Sequence, residues 1–455
     1  MNLLDPLFRS QAVERVFSNR ATLQSMLDFE AALARAEARA GFIPASAAPA
    51  IESKCRAEIY DLTLLARSAA SAGNLAIPVV KQLTVLVAQK DKDSARYVHW
   101  GATSQDVIDT GRVLQVRSAL ALISAELEHL ATVLSLMAHK HRASVVAART
   151  WMQQALPTTF GLKVAGWLDA INRHRTRLEE TKERCLVLQF GGAVGTMAAL
   201  GARGLEVAAN LSKELQISAA ALPWHSHRDR MAEIATTLGL CTGTLGKIAR
   251  DISLHTQTEV AELFEPSADD RGGSSTMPHK RNPVASAVVL AAAVRVPPLV
   301  ATMLSSLVQE QERGLGGWHS EWETLPEIVR LTAGALHHLT SAVSALEIDP
   351  QRMRQNLDVT HGLIFAEAVS MALAEKMPRA EAHELVRLAC QRAQRERADL
   401  RTILASDAII KTNLSGAELD RLFTPANYLG VADQLIDRVL AAGSSPSAQK
   451  KSRSK

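Results

Sequence analysis

The chain has 455 residues, 47% of them apolar and 22% charged, which is enough for two or three globular domains around a large buried core. Its formal net charge of +4 equals the four cations Lys450, Lys451, Arg453 and Lys455 at its end, so the rest is formally neutral and gives no basic footprint for nucleic acid. Cys55, Cys185, Cys241 and Cys390 stand far apart without a CxxC, which argues against a zinc ribbon or a disulfide framework and for a reducing, cytoplasmic setting.

Only 4% of residues are aromatic, and Ala, Leu, Arg and Glu dominate, a balance that predicts helices rather than sheets. The opening MNLLDPLFRSQAVERVF puts Asp5, Arg9, Glu14 and Arg15 where an export signal needs an apolar run, and no charge-free stretch is long enough to span a membrane comfortably. Shorter helices, such as Ala21 to Ala40, are broken by Gly41 and the Pro44 to Pro49 region, and we assign residues 1–110 to an N-terminal helical domain. After Gly111, apolar residues fall at Val113, Val116, Leu120, Ile123, Leu127, Leu130, Leu134 and Met137. Steps of three and four alternate without a break, which predicts a bundle helix about 37 Å long.

Pro157 to Leu188 and Pro283 to Leu307 are two further long candidates, the second expected to kink or stop at Pro297-Pro298. Gly191-Gly192-Ala-Val-Gly195 is half of a dinucleotide fingerprint, but no alternating strand and helix pattern surrounds it, so it is predicted to be a turn between helices. His225-Ser-His227 and His337-His338 lack a Cys or carboxylate set at ligand spacing, and no metal is assigned to them. Arg228-Asp229, in a predicted turn before a helix, is expected to form a structural ion pair, with a substrate contact as the alternative. The long-helix bundle is expected over residues 111–349. A turn at Asp349-Pro350 opens a C-terminal helical domain over 350–442, and 443–455, small, polar and basic, is a disordered tail.

The densest chemistry is Gly272-Gly-Ser-Ser-Thr-Met-Pro-His-Lys-Arg-Asn-Pro283. The glycines permit closure over a ligand, Lys280 supplies charge, Asn282 supplies amide donors, and N–H groups at the following helix start favour a carboxylate. The string resembles the signature loop of the fumarase, aspartase, argininosuccinate lyase and adenylosuccinate lyase superfamily. That resemblance implies an all-α fold of three helical domains whose central bundle assembles into a homotetramer with active sites shared between subunits. It implies no metal and no cofactor. It further implies that Ser274 exchanges the proton on carbon next to a carboxylate, with Lys280 and Asn282 holding that carboxylate and Ser274 and Lys280 the catalytic residues.

Two more segments resemble the same superfamily. In His99-Trp-Gly-Ala-Thr-Ser-Gln-Asp106, His99, Thr103 and Ser104 would bind substrate carboxylates. In Arg149-Thr-Trp-Met-Gln-Gln-Ala-Leu-Pro157, Thr150, Trp151 and Gln153 are the candidate contacts, and Arg313 lies where the superfamily has an arginine near the substrate. The lyases place a catalytic histidine at position 151, backed by a glutamate at position 287. Here these are Trp151 and Ala287. A second histidine typical of adenylosuccinate lyases is also missing near Asn74.

The bacterial 3-carboxy-cis,cis-muconate cycloisomerases resemble the chain better, through Met26 to Glu37, Tyr97 to Asp109, Leu188 to Gly192, Phe264 to Ser267 and Trp318 to Pro326. The activity this implies is lactonisation of a small tricarboxylate. An adenylosuccinate-type lyase and a non-catalytic structural member of the superfamily are the alternatives.

Overall fold

The computed structural model describes residues 3–266, 272–273, 277 and 279–443; Ser274 and the tail beyond Gly443 therefore lie outside the described residues. The described residues are helical almost throughout, with three two-stranded ladders. Six helices frame the candidate residues: α1 (Asn19–Arg39), α2 (Ser104–Lys140), α3 (Phe160–Cys185), α4 (Asp229–His255), α5 (Val284–Ser305) and α6 (Gly317–Ser344). An antiparallel pair, β1 (Val145–Thr150) and β2 (Gln153–Thr159), precedes α3. The all-α expectation holds.

The chain divides into two compact units. The first comprises 1–127, 174–246 and 288–339, the second 128–173, 247–287 and 340–455, and each of the five helices from α2 to α6 contributes a stretch to both. In the first unit Val113, Val116, Leu120 and Ile123 of α2 are buried, as are Leu238 of α4, Val296 of α5 and Ile328 of α6. Burying each such side chain is worth roughly 1.5–3 kcal/mol, so the seam read from the three-and-four spacing is the main attractive force along these helices. That seam continues through Leu134, with Met137 only half-buried. The helix begins seven residues before Gly111, at Ser104. Gly111 lies inside it because α1 crosses there: a Cβ would stand 3.2 Å from Ser25 Oγ and 3.3 Å from Met26 Cγ.

α5 runs through Pro297 and Pro298 without a break, so of the expected kink or stop the stop does not occur. The two pyrrolidines cost the helix its local amide donors, and the buried row Val288, Val289, Ala292, Val296 and Met303 holds it on both sides of them. By length and composition alone, α2 and α5 are long and apolar enough to cross a membrane, although 33% of the relevant window of each is buried within the chain. Neither is charge-free, since α2 carries Arg112 and Arg117 and α5 carries Arg295.

In the second unit the Asp349 side chain accepts from Arg352 N at 2.8 Å and Pro350 occupies the first turn of helix Pro350–Asn356, the start signal expected from the sequence. Beyond it, short helices enclose a core of Leu373, Val386, Leu400, Leu404, Ile410 and Leu419. A smaller cluster of Ala147, Leu357, Ile364 and Phe365 seats β1. All four cysteines are free thiols.

Candidate active site

In the first unit the candidate residues His99, Thr103 and Ser104 occupy the loop entering α2 and its first residue. One carboxylate organises that loop. Asp106 accepts from Thr103 N (3.0 Å), Gln189 Nε2 (3.0 Å), Gly191 N (3.0 Å), Gly192 N (2.9 Å) and His225 Nε2 (2.9 Å). It is completely buried, so each donor replaces water the carboxylate has lost. The Gly191-Gly192 turn is thus an anchor for the α2 loop, in line with the turn read from its sequence; a Cβ on Gly192 would meet Gly101 O at 2.9 Å. His225, half of the His-Ser-His pair, serves the same carboxylate.

Arg228 forms the buried ion pairs expected of it. It donates to Asp109 (2.7 and 3.1 Å) and to Glu321 (2.9, 3.2 and 2.6 Å), and Trp318 Nε1 donates to Asp109 at 2.9 Å. The arrangement ties α2, the entry to α4 and α6 together. Burial opposes the guanidinium charge, but Asp109 and Glu321 outweigh it and its pKa is raised. Arg313 donates to the Thr103 hydroxyl, so these two candidates meet. Its Nε is buried without a hydrogen-bond partner among the described residues.

In the second unit Thr150, Trp151 and Gln153 form the tip of the β1–β2 hairpin, where Thr150 pairs with Gln153 across a two-residue turn of Trp151 (φ 51°) and Met152 (φ 66°). Two non-glycine residues at positive φ make this a strained turn. Trp151 is 96% exposed, which rules out packing within its own chain as its purpose. The hairpin corrects the expectation of a helix from Pro157: residues 153–159 are strand, and the helix begins at Phe160.

The end of β1 next to the hairpin tip is fastened by a residue that no motif or spacing singles out. Glu262, fully buried, accepts from Arg149 (3.1 and 2.8 Å), from His255 Nδ1 (2.5 Å) and from Asn356 Nδ2 (2.7 Å). Burial raises its pKa, but the bonds from His255, Arg149 and Asn356 outweigh that and bring it down to about 2.

Lys280 and Asn282 also meet: Lys280 Nζ donates to Asn282 Oδ1 at 2.8 Å. The loop is closed at its stem, where Asn282 N donates to Gly272 O at 2.8 Å. Gly272 has φ 75°, and a Cβ there would meet Asn282 O at 2.8 Å, so glycine is required. The donors at the start of α5 are not open to a substrate as expected. Ala285 N, Ser286 N and Ser286 Oγ all donate to the buried carboxylate of Glu265, at 2.8, 2.8 and 2.7 Å. Lys280 and Asn282 place an ammonium and a side-chain amide just before that helix start.

Comparison with known proteins fits this arrangement. The family profile described as "Lyase" matches residues 8–297, and that described as "Adenylosuccinate lyase C-terminus" matches 362–439. The chain is 55% identical to the 3-carboxy-cis,cis-muconate cycloisomerase of Pseudomonas aeruginosa, over 96% of each chain, and 50% identical to that of Bradyrhizobium diazoefficiens, over 96% of this chain and 97% of the relative. The crystal structure of 3-carboxy-cis,cis-muconate lactonizing enzyme from Pseudomonas putida superposes with a TM-score of 0.93 at 51% identity, covering 97% of this chain and 99% of that one. The chain belongs to the lyase family that includes these cycloisomerases. For this member of the family, the hairpin that carries Trp151 depends on one buried carboxylate.

The folded-state pKa of Glu262 is depressed below the ordinary carboxylate value, so its contribution to stability is present above about pH 4.5 and is lost as pH falls towards about 2. Glu262→Gln should lower the unfolding temperature at neutral pH, consistent with a loss of about 3 kcal/mol for breaking a buried pair. The difference from wild type should shrink as pH falls from 5 to 3, roughly. Thermal melts over that range check this; equal melting temperatures at pH 7 would contradict it.

Proposed function

We propose that the chain interconverts 3-carboxy-cis,cis-muconate and 4-carboxymuconolactone by intramolecular addition of a carboxylate, in the breakdown of aromatic compounds through protocatechuate. The observation that carries this is the replacement of the lyase histidine and glutamate by Trp151 and Ala287 in a chain otherwise matched, end to end, by cycloisomerases. In the forward direction a carboxylate oxygen attacks the diene carbon bearing the middle carboxylate, closing a five-membered lactone, and a proton is delivered to the neighbouring carbon. The electrons pass through an enolate-like terminal carboxylate, whose charge Lys280 and Asn282 stabilise. Ser274 delivers the proton, by microscopic reversibility with its part in the lyase direction. His99, Thr103, Ser104, Thr150, Gln153 and Arg313 hold the remaining carboxylates.

Water, as the nucleophile of a hydratase, must lose a proton while attacking, and a positioned imidazole then helps. A substrate carboxylate, with a pKa near 4, is already ionised at pH 7, and its tether makes the attack intramolecular. No protein base is required. The indole of Trp151 instead excludes water and presses the diene into the curled shape that ring closure needs.

The working form is a cytoplasmic homotetramer in which neighbouring subunits bring the three regions to one site. Two observations support this. The first unit leaves Leu122, Leu240, Val294 and Leu304 exposed along its long helices, apolar side chains that a subunit interface would cover. Trp151 and Met152 are likewise exposed at the hairpin tip. An adenylosuccinate-type lyase is the second possibility, on the C-terminal profile match, and release of fumarate distinguishes it.

Ser274→Ala is expected to assemble normally and to lose at least about a hundredfold in turnover, the scale of a general acid; wild-type rates would remove Ser274 from the mechanism. Trp151→His combined with Ala287→Glu should slow cyclisation, and wild-type kcat should not rise with pH through about 6.5 as a histidine base would make it. A double variant faster than wild type would show that a base is needed.

A further inference from the structure

Helix α1 carries two buried glutamates that the chemistry above does not use. Glu30 and Glu37 lie seven residues apart and are 1% and 0% exposed, on a helix whose other buried residues are apolar except for Ser25. Glu37 has no hydrogen-bond partner on either oxygen among the described residues. Burial, with the charge of Glu30 beside it, pushes its pKa up to about 9, so it is a neutral acid at pH 7. Glu30 is different. Its Oε1 lies 2.6 Å from His99 Nδ1, and His99 is held at φ 58°, four residues before Thr103.

We infer that Glu30 is a positioning residue for the lactonisation, keeping the His99 imidazole doubly protonated with its Nε2–H directed at a substrate carboxylate. This rests on the proposal that His99 is a substrate ligand. Donors and acceptors decide the matter. Glu30 accepts the Nδ1 proton, so a neutral ring would present the bare lone pair of Nε2. A carboxylate only accepts, and it would be repelled. The ring can satisfy Glu30 and a substrate carboxylate together only as the imidazolium, and the Glu30 charge favours that form. The groups facing this pair are Asp106 of α2, which also favours the cation, and Glu37, Cys55 and Tyr60 around Glu30. Burial draws the imidazole pKa down, but Glu30 and Asp106 outweigh it and leave it raised. Cys55 and Tyr60 are pushed further from ionising by the same surroundings.

The test compares Glu30→Gln, Glu30→Asp, Glu37→Gln and His99→Gln in the assembled enzyme, using 3-carboxy-cis,cis-muconate across the pH range. The amide of Glu30→Gln still accepts from Nδ1 but carries no charge. It should raise KM at least about tenfold with a smaller change in kcat, and move the alkaline fall of kcat/KM down by about one pH unit. Glu30→Asp, which keeps the charge, should retain the wild-type alkaline limb whatever its rate. Glu37→Gln, on the same helix but without a hydrogen bond to His99, should leave the acid-to-neutral part of the profile and KM at pH 7 in place. In the His99→Gln background, Glu30→Gln should add no further loss. An alkaline limb unmoved in Glu30→Gln, or moved equally in Glu30→Asp, overturns the inference and leaves Glu30 a packing residue. An unchanged KM in His99→Gln overturns instead the assignment of His99 on which it rests.

Discussion

Asp106 is the constraint on which the loop carrying His99, Thr103 and Ser104 in the first unit depends. A carboxylate removed from water must have its oxygens matched by donors, and here they come from three stretches of chain remote in sequence: the α2 loop, the Gly191-Gly192 turn and His225. Satisfying that one anion fixes the backbone of Thr103 and draws the glycine turn against Gly101. The geometry available to His99, Thr103 and Ser104 follows from it. Three positions away on α2, the Asp109–Arg228–Glu321 set repeats the principle with a buried cation. Removing either partner there would strand a buried charge.

The second unit applies the same logic to a different part of the chemistry. Glu262 gathers Arg149, His255 and Asn356 so that the hairpin tip can project Trp151 and Met152 in a strained turn with no support of its own. Glu265 occupies the donors at the start of α5. Each buried carboxylate thus aims a neighbouring segment. A reaction whose transition state is an anion benefits from donors fixed beforehand, because nothing then has to reorganise as charge develops.

What is legible in the sequence is what has a period or a spacing. The apolar seam from Val113 to Leu134 announces α2, and Asp349-Pro350 announces the helix that follows. The β1–β2 hairpin is hidden because its turn is Trp151-Met152, without the glycine or asparagine that marks positive φ. The start of α2 at Ser104 is hidden by Gly111, which marks a close helix crossing and not a boundary. Pro297-Pro298 reads as a break because local propensity carries no information about the burial that overrides it. In the site, the strings around His99, Trp151 and Lys280 stand out as strings. The residues that aim them do not: Glu30 and Glu262 are 69 and 113 residues from their partners His99 and Arg149, and a buried glutamate looks like any other until its surroundings are known.

This lyase scaffold, with tryptophan and alanine in place of the base and its glutamate, closes a lactone from a substrate that brings its own nucleophile: that is the central claim. Incubation of the purified enzyme with 3-carboxy-cis,cis-muconate, following the diene absorbance and assaying fumarate in parallel, tests it most directly. Catalytic loss of the diene signal with an equivalent amount of lactone and no fumarate is the predicted result; an unchanged diene signal, with fumarate released from an adenylosuccinate-type substrate, would contradict it.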